Sequence, residues 1–183
     1  MYGSVDIGLV RTVKATIIRR GIQRTFVSRL MRVGKHIQFL VIASPWISSL
    51  RGQTYSVERL ARYINRLGLP AYVFTRPPQT NDHLDALQVL QGCPSVELVY
   101  NENLHAKIYA CVGPQPYGFA IVGSANLTMH SAGLYEIGLI VLAGGGGDHI
   151  VKELAAFGLN YLRTRPDSKV VKKRTVGRNR DGL

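Results

Sequence analysis

Ile18, Ile22, Phe26, Leu30 and Val33 recur at intervals of four, four, four and three residues, which predicts a helix with one apolar stripe across residues 18–33. Arginines fill the opposite face, and Gly21 interrupts the pattern, so a start near Gly21 fits as well as an earlier one. Residues 37–43 form a short apolar run rich in β-branched side chains and closed by Ser44 and Pro45, the first strand that the pattern predicts. Val57, Leu60, Ala61 and Ile64 share one face of a helix over residues 56–67, with Gly68 as its stop. Residues 71–75 read as a strand, 82–90 as a helix, and 96–100 and 105–112 as strands. A turn over 113–118 carries two prolines and leads into a strand at 119–122. A strand at 136–142, a glycine loop at 144–147 and a helix over 148–161, capped by Asp148, complete the pattern. Strands alternate with helices in the first half and cluster in the second. The expected fold is therefore α/β, a mixed β-sheet flanked by helices on both faces.

With 183 residues and no internal repeat, the chain is expected to form a single domain. The stretch after Pro166 is polar and basic, and a mobile tail is expected there. Cys93 and Cys111 suggest neither a disulfide framework nor a metal ribbon. No charged segment followed by an apolar one opens the sequence, and no apolar run reaches the roughly 18 residues that a bilayer span needs. A soluble, cytoplasmic protein without stable membrane insertion is the expectation.

The formal net charge of +12 is concentrated at the ends: residues 1–36 carry +7, residues 163–183 carry +6, and the remainder −1. Such an excess favours a polyanionic partner, nucleic acid first and an anionic membrane surface second. His36, His83, His130 and His149 lack metal-ligand spacing and are expected at the surface, so neither a metal nor a cofactor is assigned.

The chemistry concentrates between Leu104 and Glu136. On a strand, His105 and Lys107 project to the same side. A hairpin through 113–118 would bring Gly123, Ser124 and Asn126 beside them, with Gly123 allowing a tight backbone turn. This set, His-x-Lys followed by Gly-Ser-x-Asn and then Glu136, resembles the phospholipase D superfamily. More weakly, the strand ending in Ser44-Pro45-Trp46-Ile47 is similar to the first core strand of the nuclease-like members. The resemblance spans roughly residues 20–160, and its specificity comes from 104–136. It departs from the family at Val112, where the motif has an aspartate.

The resemblance implies a phospholipase-D-like catalytic domain over residues 1–165, followed by the basic tail 166–183. It implies a metal-independent phosphodiesterase, a nuclease acting on DNA or RNA through a covalent phosphohistidine on His105. Imidazole titrates near neutrality and so can attack phosphorus unaided. Lys107, Asn126 and Ser124 would hold the phosphoryl oxygens, and Glu136 would orient an imidazole. One motif per chain implies a homodimer whose active site lies at the two-fold interface, with the second His105 as general acid. Arg51, Arg76 and Trp46 are candidate substrate-binding residues, and a larger complex could supply target recognition. The alternatives are a phospholipid hydrolase or phosphatidyltransferase of the same superfamily and a catalytically inactive nucleic-acid-binding module.

Overall fold

The computed structural model describes residues 12–48, 56–128, 131 and 134–175. Within them eight strands make one mixed sheet in the order β1-β7-β6-β5-β2-β3-β4-β8. These are β1 (Lys14–Ile18), β2 (Phe39–Ala43), β3 (Ala71–Thr75), β4 (Val96–Asn101), β5 (Ile108–Val112), β6 (Phe119–Gly123), β7 (Gly138–Leu142) and β8 (Ser168–Lys172). The central β2, β3 and β4 run parallel, joined through helices α2 (Val57–Leu67) and α3 (Asn81–Gln91); all other pairings are antiparallel.

Period-two side chains divide the sheet into two apolar layers. One joins Leu40, Ile42, Val73, Leu98, Tyr109 and Ile121 to α1 (Ile22–Val33), α2 and α3. Phe26 is fully buried there, its ring centroid 5.1 Å from that of Tyr109 and 6.3 Å from that of Phe119. The opposite layer joins Val41, Phe74, Val99, Ala110 and Val141 to Val151 and Ala155 of α4 (Gly147–Ala156) and to the π-helical turn Phe157–Leu162 that continues it. The sheet is covered on both faces, as the sequence predicts. Among the described residues no helix is long and apolar enough to cross a membrane.

Several boundaries differ from the pattern-based expectation. Ile18 ends a strand, β1, and α1 begins beyond Gly21, whose backbone is left-handed at φ 64°. The largely exposed β1 has no buried alternation to betray it; its partner is β7. The strand expected from His105 starts only at Ile108, and that expected from Glu136 only at Gly138. The mobile tail expected from residue 166 is corrected in part. Ser168–Lys172 pairs antiparallel with β4, with Lys172 Nζ donating to Val96 O at 2.9 Å. Residues 176–183 lie outside the described set.

The starts of α2 and α4 are capped differently, and one capping expectation fails. Ser56 Oγ accepts the Arg59 N–H at 3.1 Å at the start of α2. Asp148 is not a cap: Gly146 holds that position, and Asp148 pairs with Lys152 at 2.7 Å on the surface of α4. Ser56→Ala is therefore expected to cost about 1 kcal/mol, and Asp148→Ala less than about 0.5 kcal/mol. Urea midpoints of the two variants measured side by side check this ordering.

Candidate active site

β5 and β6 pair from Cys111↔Phe119 to Ile108↔Val122, so their open ends emerge side by side. One ladder step further, Gly123 N donates to Lys107 O at 3.2 Å. The chain leading into β5 is anchored first at Leu104, which is buried and whose carbonyl accepts Arg76 Nε at 2.9 Å. His105 then reaches solvent, while Lys107 is half-buried. Lys107 Nζ donates to His105 O at 2.9 Å and stands 3.4 Å from His105 Nε2. The pair is adjacent as expected, although on an extended lead-in instead of a strand. Burial, followed by the nearby Arg76 charge, pulls the Lys107 ammonium below its usual pKa, and Glu136 opposes them. Arg76, Lys107 and Glu136 thus share one electrostatic field.

Beyond β6, Ser124 N donates to Ile137 O at 2.9 Å, and Ser124 Oγ accepts Ile137 N at 3.1 Å while donating to the Glu136 carboxylate. Glu136 therefore comes to the site, but among the described residues its hydrogen bond is from Ser124 and none joins it to His105. An orienting role on an imidazole of the same chain is not what this geometry contains.

Asn126 sits on a loop fixed from three sides. Gln23 of α1 donates to Asn126 O at 2.7 Å, Tyr109 of β5 donates to Ala125 O at 2.7 Å, and Ser44 beyond β2 accepts Leu127 N at 3.0 Å. Gln23, Ser44 and Tyr109 were not anticipated as supports of the site. The available signal was a polar residue beside the apolar stripe of α1, since a buried amide needs partners. Burial raises the Tyr109 phenol well above its usual pKa, so it remains a donor.

Arg76 and Trp46 both reach this region: the guanidinium carbon lies 5.7 Å from the indole centroid. Arg51 lies outside the described residues, as does His130. The surface placement expected for His83 is wrong. His83 is 2% exposed, its ring centroid 5.4 Å from Trp46, and Nε2 stands 3.2 Å from Thr75 Oγ1. On α3 it shares the buried face with Ala86, Leu87 and Leu90, three, four and seven residues further on, and its backbone N–H is capped by the Thr80 hydroxyl. His36 also departs in part, half-buried and stacked on Tyr117 at 3.8 Å, whereas the His149 side chain is 79% exposed. Val112, at the position of the motif aspartate, is 5% exposed within the α4-side apolar layer, where an unpaired carboxylate would be costly. Among the described residues no three His, Cys, Asp or Glu side chains cluster as metal ligands.

Burial holds the His83 imidazole down at about 4. Its unfolded counterpart, near 6.5, binds a proton first as pH falls, so this contribution to stability is complete above about 6.5 and fades towards pH 4. The full span is worth up to roughly 3 kcal/mol. Urea titrations from pH 7 to 4.5 are expected to show a shallower loss for His83→Gln than for the parent; parallel curves would contradict it.

No protein-family model matches the sequence, and no curated protein does either. Solved structures are more informative. The fold is similar to that of Nuc from Salmonella typhimurium, a phospholipase D family member, at a TM-score of 0.61 and 10% identity, covering 88% of this chain and 99% of that one. NucT from Helicobacter pylori gives 0.59 at 13% identity, covering 83% and 97%. Phosphatidylserine synthase from Haemophilus influenzae Rd KW20 gives 0.57 at 13%, covering 92% of this chain and 42% of that one.

Proposed function

We propose that this chain, which has the fold of the phospholipase D superfamily, is a metal-independent nuclease working as a homodimer. The observation that carries the reading is the exposed imidazole of His105 with the Lys107 ammonium 3.4 Å from its Nε2, beside the Ser124–Glu136 pair. A neutral imidazole can attack phosphorus, and an ammonium beside the attacking atom stabilises the charge that gathers on the phosphoryl oxygens.

In the proposed reaction His105 Nε2 bonds to phosphorus as the bond to the leaving oxygen breaks, and the second copy's His105 protonates that oxygen. Water then attacks the phosphohistidine, giving up a proton to the second imidazole, and the N–P bond breaks to release the phosphate end. Lys107 and the Asn126 amide hold non-bridging oxygens. Ser124 and Glu136 hold the loop in place and lend a negative charge that partly offsets the lowering of the Lys107 pKa by burial and Arg76.

The requirement for a second imidazole agrees with the surface around the site. Tyr135 and Ile137, flanking Glu136, are 86% and 59% exposed, and Ile17 and Leu139, register partners on β1 and β7, are also exposed. An apolar strip beside a charged centre suits burial against another copy of itself.

With excess EDTA present, the protein is expected to cut plasmid, single-stranded DNA or RNA, and His105→Ala to reduce the rate by at least about a thousandfold. Acid quenching during turnover of phosphate-labelled substrate should leave label on the parent protein and none on His105→Ala. Ile137→Glu should shift the mass in light scattering from dimer to monomer and abolish cutting. Unchanged cleavage in His105→Ala would sink the reading, whereas phospholipid turnover without nucleic-acid cleavage would replace it with the lipid-directed one.

A further inference from the structure

Next to His105 and Lys107 lies a second space that the proposed chemistry touches only through the amide nitrogen of Asn126. It is a cavity of about 570 Å³ lined by Trp46, Asp82, His83, Asn126, Thr128 and Ser131, among others. That is within the range of small-molecule sites, roughly 300–1,000 Å³. No lysine or arginine is among its described lining residues, so it is not built to receive another phosphate.

Its polar groups have a definite sense. Thr75 Oγ1 has a single proton, and Pro45 O, 3.2 Å away, can only accept it. The Thr75 oxygen must therefore accept from His83 Nε2–H, 3.2 Å away, which leaves Nδ1 as the bare acceptor nitrogen. That Nδ1 is buried and has no partner among the described residues. Asn126 Oδ1 is likewise buried and unpartnered. Two residues that line one cavity thus each carry an unsatisfied acceptor, which is costly unless a ligand donates to it. Asp82 adds a carboxylate, and the Thr128 and Ser131 hydroxyls can turn to donate. The low pKa of His83 keeps Nδ1 unprotonated at neutral pH.

Resting on the nuclease reading, we infer that this cavity is a base-recognition subsite for one unpaired guanine beside the bond that is cut. Trp46 is its aromatic wall, and His83, Asn126 and Asp82 accept the donors of the base's pairing edge. Guanine fits because that edge has two adjacent donor groups, the ring N–H and the exocyclic amine, and one carbonyl that a hydroxyl can serve. Adenine and cytosine present a single donor group there, and uracil one N–H between two carbonyls. A base enters such a pocket only out of the stack, so the subsite selects single strands, loops or flipped nucleotides.

Trp46 is the chain's sole tryptophan, which makes its fluorescence a direct reporter. The full-length protein would be titrated with guanosine, inosine, adenosine, cytidine, uridine and inorganic phosphate; none contains a phosphodiester, so catalysis does not enter. Guanosine is expected to quench at concentrations at least about tenfold below those needed for the other natural nucleosides. Inosine, lacking the amine, should fall between, and phosphate should leave the signal unchanged. His83→Phe, with folding checked by circular dichroism, should bring guanosine down to the level of adenosine. Equal quenching by all nucleosides, none by guanosine, or the same response to phosphate overturns the subsite. The parent titration decides even if His83→Phe does not fold. Failure here with EDTA-resistant cleavage retained removes the guanine subsite alone; selective guanosine binding with no cleavage of any nucleic acid keeps the pocket and removes the nuclease.

Discussion

The whole centre depends on how closely β6 and β7 approach at Gly123. A β-carbon there would lie 2.4 Å from Ile137 O and 2.7 Å from Gly138 Cα, distances that no side chain can occupy. Gly123 is also the residue whose N–H reaches back to Lys107 O. Three segments therefore converge on one backbone position: the lead-in carrying His105 and Lys107, the turn carrying Ser124 and Asn126, and the approach to β7 carrying Glu136. Any side chain at 123 would force β7 away and separate the Ser124 hydroxyl from the Glu136 carboxylate. A glycine in a strand interior ordinarily weakens the strand; here the close approach is what lets three short motifs act as one site.

How much of this could be read in advance follows from the physics of each element. Strands β2, β3 and β5 are buried on both faces and read as short continuous apolar runs, and helix α2 is buried along one stripe, so run length and stripe spacing reveal them. The edge strands β1 and β8 are half-exposed and gain their order from one neighbour, Ile17 from Leu139 and Lys172 from Leu98, a pairing that no local pattern records. The candidate residues His105, Lys107, Ser124, Asn126 and Glu136 are legible because they follow a motif. Their partners are not: Glu136 binding Ser124, and Gln23 holding the Asn126 backbone across 103 residues of chain, are matters of tertiary placement. The same holds for His83, whose burial comes from the packing of the α3 face that it shares with Ala86, Leu87 and Leu90.

The basic ends take on a different meaning once folded. Arg163 donates to Glu97 at 2.7 Å, Arg165 lies over Tyr161 and Arg174 over Tyr72. The Lys172 ammonium bonds the Cys93 and Val96 carbonyls, and burial lowers its pKa. Near the other end, Arg29 is set over Phe119, its Nε buried without a partner among the described residues. Part of the basic charge at the two ends thus also packs against the fold, around β8 and over an aromatic core. Lysines on an edge strand also discourage strand-to-strand association there. The apolar strip along Ile17, Tyr135, Ile137 and Leu139 is at the opposite edge, beside the site, so the two edges of the sheet differ in what they invite.

Arg76 is where the two halves of the functional region meet. Its Nε holds the Leu104 carbonyl one residue before His105, its guanidinium lies over Trp46, and its charge acts on Lys107. A lysine could supply the charge, but its single ammonium could not bond the Leu104 carbonyl through one nitrogen while presenting a planar cation to the indole. Arg76 is the first residue after β3, a parallel strand locked between β2 and β4, so its starting point is among the most constrained in the molecule. The cation-rich side around Lys107 and the acceptor-lined cavity around His83 are opposite in character. On the proposed reading, one planar cation between them would let a phosphate be gripped on one side and a neutral, donor-bearing ring be received on the other, without either site's polarity spoiling the other's.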